Sequence, residues 1–374
     1  MCVIITHTFI KVMPPYNTVG RRQQIRKPNQ QKQLNTLVQQ LKDKNFQYQE
    51  QTPKPLDWTN YNLAQTSEIN DMLLLIRDIV TQAANNLDLP DPLERRDPGR
   101  PKHNPTNGAK MVLMAQYFGL SNRAAQGYMI LFKEKLDLTT TYSYKTIERA
   151  YSDMEVRALL EEVFELTHVP IRDLEHEFGP DGTGLSTSSK QNYEVDRAKD
   201  QTGKGYEKIV VMAGLKYKLI SSFKYAAKPT DHESPYFESL LRETAKRYGR
   251  VGLVAGDAAF LSRRNCDLVV SMGGVARFYP KKGSTLRQKG SFAWRRMLED
   301  LVADPQKWLE EYHKRSNVEG CFSTLKRDNP LPLRKELDER RQQEAFTRAC
   351  NLNLKRLCYL NYLENINARE SWHK

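Results

Sequence analysis

The chain has 374 residues and carries 58 Lys and Arg against 45 Asp and Glu, a net +13, with a pI near 9.3 and a mean hydropathy of −0.69. That length has room for two or three domains, and the basic surplus points to a polyanion, nucleic acid first and an anionic membrane second. The membrane is disfavoured because no apolar run reaches the roughly 18 residues of a spanning helix, the start MCVIITHTFIKVM lacks a signal peptide's apolar stretch, and five cysteines without a CxxC pair fit a reducing cytoplasm rather than a zinc site or a disulfide framework.

Residues 1–108 read as a basic, Gln/Asn-rich arm followed by a Pro-rich linker. Within 20–52, Leu34, Leu37, Val38 and Leu41 could form an amphipathic helix, but the composition favours a loosely ordered segment. A helix is expected over 67–86 with Ser67 as its cap, and Met72 to Leu75 as core. The stretch 89–108, LPDPLERRDPGRPKHNPTNG, has five prolines in twenty residues and reads as linker. Its Gly99-Arg100-Pro101-Lys102 segment resembles a minor-groove-inserting arginine motif but reads better as solvated linker.

From 109 to 170 the pattern is helical. An apolar helix is followed by Gly119-Leu120-Ser121 as break and fresh cap, and Ser143 caps a further segment. Helix, Gly-containing turn and helix in a basic protein is helix-turn-helix-like geometry, which suits either DNA reading or a plain helical hairpin. From 171 to 374 strands take over. Residues 176–186, 207–217 and 217–227 read as an antiparallel meander. A helix over 234–249 then leads into a strand over 251–260, and another strand follows a short helix within 268–280. This order describes an α/β fold with a ribonuclease-H-like mixed sheet and flanking helices, preceded by the helical DNA-binding region.

Asp181 falls in the first strand region, followed by Gly182-Thr183-Gly184, small residues that leave room for a bulky ligand. Asp257 ends the apolar run that starts at Val251, at the carboxyl end of a strand, where α/β folds place their sites. Each could instead cap a turn. Asp231-His232-Glu233 could bind a metal but reads better as the cap of the following helix. Lys281, Lys282, Arg287 and Lys289, near Phe292 and Trp294, could track a nucleic acid strand or form a solvated loop. In YHKRSNVEGCFSTLKR, 312–327, one acid sits among bases. On a continuous helix Tyr312, Arg315, Glu319 and Lys326 fall within an arc of about 60°, and Lys314 points about 140° from Glu319. A solvated face with intrahelical ion pairs is the simpler reading. Joined by Glu319, however, Asp181 and Asp257 make an oxygen-only ligand set suited to Mg²⁺ or Mn²⁺.

The order Asp181, Asp257, Glu319 on such a sheet resembles the DDE transposases of bacterial and archaeal insertion sequences. Tyr312, Arg315, Glu319 and Lys326 match the YREK signature, Tyr-x2-Arg-x3-Glu-x6-Lys, of the insertion-sequence-four superfamily. The resemblance spans about residues 110–363. It implies that the three acids are catalytic and hold two ions per site, with Asp181 bridging, while Tyr312, Arg315 and Lys326 contact DNA. It implies double-stranded DNA as partner, both element ends and target, and a homodimer in a synaptic complex, nucleoid-associated in a prokaryotic cytoplasm. It implies end binding, hydrolytic cleavage and transfer of the 3′-hydroxyl strand. A catalytically silent DNA-binding descendant and a nuclease without strand transfer are the alternatives. About 60 residues separate Asp257 from Glu319, too few for the large β-rich insertion of some relatives.

Overall fold

A computed structural model describes residues 28–49, 55–89, 103–187 and 205–372; the Gly99–Lys102 motif and the first 27 residues lie outside these. Residues Pro28–Lys42 form a helix, α1, against the expectation of a loosely ordered segment. Its Leu34, Leu37 and Val38 are buried, a narrow apolar stripe at i, i+3 and i+4 that the Gln-rich composition masks. Helix α2, Trp58–Asn86, begins nine residues before the expected cap: Asp57, not Ser67, accepts the Asn60 N–H. Its Met72, Leu73, Ile76, Ile79 and Val80 are buried, each contributing about 1.5–3 kcal/mol of apolar burial.

The expected linker ends early. Pro105 to Gly108 are the first turn of α3, Pro105–Tyr117, with Asn104 as cap and proline where its missing N–H costs nothing. Gly119, at φ +62°, turns the chain out of α3. As expected, Ser121 caps α4, Asn122–Leu131, and Ser143 caps α5, Tyr144–Ala150. Helix α6, Met154–Leu166, completes the helical region.

A five-stranded mixed sheet follows: β1 Glu177–Ser186, β2 Tyr206–Gly214, β3 Ile220–Tyr225, β4 Leu253–Gly256 and β5 Val275–Phe278. Its order is β3-β2-β1-β4-β5. The first three strands pair antiparallel, whereas β4 runs parallel to β1, and β5 to β4. This is consistent with the ribonuclease-H-like expectation. Helix α7, Phe237–Tyr248, packs on β2 and β3. Helices α8 Arg263–Ser271 and α9 Phe292–Ala303 lie beside β5, and α10 is Pro305–His313. Helix α11, Ser316–Asp328, lies on β1, and α1 packs on α9. Helix α12, Asp338–Leu363, contacts α2, α3 and α6 as well as β3, so one hydrophobic core runs through the helical and sheet regions. A short α13, Ala368–Ser371, ends the described chain.

Candidate active site

The two aspartates meet through strand register. Glu177 pairs with Leu253 and Phe178 with Val254 across the parallel β1–β4 ladder. Asp181 and Asp257 each lie four residues beyond the first of these pairs, at the same level and, by the two-residue alternation of strands, on the same face. Asp181 sits in mid-strand opposite Val211 of β2, half-buried, and its Oδ1 accepts the Gly182 N–H at 2.9 Å. Asp257 is the first residue past β4, and its Oδ1 accepts the Ala259 N–H at 2.8 Å. The turn-capping and site readings of Asp257 are therefore compatible. Gly179, two residues before Asp181 on the same face, lets α11 approach: a Cβ there would stand 2.7 Å from Cγ2 of Val318, the residue before Glu319.

The segment 312–327 is not one continuous helix. Tyr312 belongs to the end of α10, and α11 starts at Ser316. Between them the N–H groups of Arg315, Asn317 and Val318 donate to the carbonyls of Tyr312, Lys314 and Arg315 at 2.9–3.0 Å, the i−3 spacing of a 3₁₀ turn. Two side chains pin the junction to the sheet. Asn317 Nδ2 donates to the Leu215 carbonyl at 2.9 Å, and Lys314 Nζ pairs with the Glu177 carboxylate at 2.6 Å. Lys314 therefore reaches the start of β1 instead of facing bulk solvent, and the four-residue face expected from a 100° step is broken between Tyr312 and Ser316.

Tyr312 is buried, its ring stacked 5.5 Å from Trp308 and tilted at 42° to that of Tyr279, 5.3 Å away. Trp308 covers one face of the ring, which leaves the hydroxyl as the group best placed to meet DNA. Burial pushes its hydroxyl up to about 12, with Arg315 and Asp257 among the charges it feels. Arg315 NH1 pairs with Glu319 Oε1 at 2.8 Å, the guanidinium being 22% exposed and the carboxylate 55%. The charges of Glu319, Asp181 and Asp257 also favour the charged form of Arg315. Lys326, exposed in the last turn of α11, lies two helical turns or about 10 Å from Glu319 and does not join them.

A fourth acid was not expected here. Glu233 makes no side-chain cap to the 3₁₀ turn Ser234–Tyr236. Its Oε1 pairs with Lys208 Nζ at 3.0 Å, and its carboxylate fills the space that the missing Cβ of Gly182 leaves. The room at Gly182 and Gly184 is thus taken by the protein's own Glu233 and Tyr206. The readable signal was a small residue beside an acid, which does not reveal what occupies the gap. Asp231 closes the preceding turn, accepting from Lys228 N–H at 3.1 Å and Tyr236 hydroxyl at 2.9 Å. Burial pushes the Asp181 carboxyl up to about 6, with Glu233 and Asp257 adding repulsion against the Gly182 N–H and Arg315. A cation would relieve that strain on the anion. Among the described residues no three His, Cys, Asp or Glu side chains stand close enough to hold one metal ion. The expected three-carboxylate cage is therefore open, with Glu319 engaged by Arg315.

Residues 181–354 match the family described as transposase DDE domain. Over 249 residues the chain is 29% identical to a protein of Archaeoglobus fulgidus named probable transposase for insertion sequence element ISA1214, covering 66% of this chain and 74% of that protein. The matched segment begins at Asp181 and includes Asp257 and Glu319. Sheet, matched segment and relative agree in their likeness to the DDE transposases of insertion elements, with the transposase DDE domain over residues 181–354.

Proposed function

We propose that the chain binds the ends of its insertion element as a homodimer, cleaves the DNA there hydrolytically, and joins the freed 3′-hydroxyl to target DNA. The observation that supports this most is the common level and face of Asp181 and Asp257 on adjacent parallel strands, with α11 seated over that face at Gly179. Asp181, Asp257 and Glu319 would hold Mg²⁺ or Mn²⁺, since every donor is a carboxylate oxygen and burial already disfavours a bare anion at Asp181. When bound, two such ions supply Lewis-acid activation of the phosphodiester. The rest falls to the chain. Glu319 turns from Arg315, which frees the guanidinium fork to grip phosphate oxygens bidentately. The Tyr312 hydroxyl, within the field of Arg315 and Asp257, orients the strand end by donation. Lys326, farther along α11, meets a phosphate beyond the reacting one.

End recognition is proposed for residues 109–170, where two serine-capped helices follow one another. Residues 1–108 flank this region, and 171–374 carry the chemistry. A catalytically silent DNA-binding protein is not favoured, since such a role needs no paired acids on β1 and β4. The test is to incubate the chain with its element ends, a target plasmid and Mg²⁺, and to resolve the products by gel. Nicked ends and joined products support the proposal; binding without either sinks it.

A further inference from the structure

We propose that residues 281–289 form a second phosphate-binding surface, which tracks the backbone of duplex DNA leaving the carboxylate site; this rests on the reading that the site cuts DNA. Strands β4 and β5 run parallel, so their carboxyl ends lie together, with Gly256 opposite Phe278. Tyr279 N–H donates to the carbonyl of Gly256, the residue before Asp257, at 3.2 Å. Its ring lies 5.3 Å from that of Tyr312. Lys281 follows two residues later, at most about 7 Å of extended chain. The loop therefore leaves from the rim of the site.

The loop is held by its backbone. Trp294 Nε1 donates to the Thr285 carbonyl at 2.8 Å. Arg263 donates to the carbonyls of Gln288 and Arg287 at 3.3 and 3.1 Å, while lying 4.5 Å over the Trp294 ring. From α1, Gln31 donates to the Ser284 carbonyl at 3.2 Å and accepts the Leu286 N–H at 2.8 Å. None of these bonds uses a cationic side chain of the loop. Lys281, Lys282, Arg287 and Lys289 are all exposed, and among the described residues none of the four forms an ion pair. Arg277, in β5 itself, shows the opposite treatment, buried between Asp300 at 3.2 Å and Glu311 at 2.6 Å. A fixed backbone carrying four unneutralised cations suits a polyanion, because the charges are pre-placed and their counterions are free to leave. Trp294 is buried under Arg263 and holds the loop. Phosphates are the group that the four exposed cations recognise.

The test measures affinity of the full chain for a duplex of arbitrary sequence, by fluorescence anisotropy across a salt series. The variants are K281Q/K282Q and R287Q/K289Q. The control is K246Q/R250Q, two exposed cations near the amino end of β4, opposite Asp257. All three remove the same charge. Each loop pair should flatten the slope of log affinity against log salt by about 2, at about 0.9 per phosphate, while the control leaves it unchanged. Loop variants that behave like the control overturn the loop proposal and leave the cleavage reading standing. An unaltered chain that binds no duplex overturns both.

Discussion

Two parts of the candidate site are built differently. Asp181 and Asp257 are fixed by a parallel ladder, where neighbouring strands share register and the two-residue alternation decides the face. Arg315 and Glu319 ride on a 3₁₀ junction between two helices, held to the sheet by Lys314, Asn317 and the close contact at Gly179. The strand pair is preset, whereas the helix-borne acid is engaged by its own arginine. Rigid placement comes from the sheet, and the adjustable element comes from the helix that crosses it.

The comparison predicts its largest effects at the carboxylates. Asp181→Asn and Asp257→Asn should each lower cleavage by about 10³-fold or more, since several kcal/mol of charge stabilisation are lost, and leave end binding in a gel shift nearly intact. Glu319→Gln should also abolish cleavage while binding uncleaved ends at least as well, because it removes a like charge near phosphate. Full strand transfer by any of the three would take that residue out of the site. Gly179→Ala comes next. Its Cβ would meet Val318 Cγ2 at 2.7 Å and the Ala255 carbonyl at 3.1 Å. Pushing α11 off β1 should destabilise the fold by about 1–3 kcal/mol in urea unfolding. It should also slow cleavage by on the order of 10²-fold through misplacement. Unchanged stability and rate would mean that α11 is not seated by this contact.

The strands and their order along the chain were legible because strand periodicity and β–α alternation survive in the sequence. The boundary of α2 was misplaced because Ser67 is an acceptable cap that lies inside a longer helix begun at Asp57. Helix α1 was missed because three buried apolar residues are few against a Gln-rich background. The helical-face argument failed at Lys314 and Arg315, where a 3₁₀ turn advances about 120° per residue and not 100°. The contacts that hold that turn are tertiary: Glu177 and the Leu215 carbonyl lie far away in sequence. Glu233, read as part of a helix cap, was not placed beside β1 for the same reason, since its partner Lys208 on β2 is distant in sequence.

Smaller effects sharpen the contrast within the junction. Arg315→Ala should weaken binding to cleaved-end DNA and flatten the log-affinity slope against log salt by about 1. Lys314→Ala removes the same charge but only a half-exposed pair with Glu177, costing about 0.5 kcal/mol of stability or less with little change in the slope. Equal slopes for the two variants would show that only bulk charge matters. Smallest is Gly320→Ala, where a Cβ meets nothing within 4 Å on α11. It should stabilise the fold by about 0.5–1 kcal/mol, read as a rise in the urea midpoint, and leave cleavage unaltered.

Mn²⁺ binding followed by electron paramagnetic resonance asks, without depending on DNA, whether the two strand-borne aspartates form one cation site. The unaltered chain should bind Mn²⁺, Asp181→Asn and Asp257→Asn should each lose that binding, and Glu319→Gln should weaken it less, since Glu319 must first leave Arg315. Mn²⁺ binding that is the same in the unaltered chain and in both aspartate variants would contradict the account.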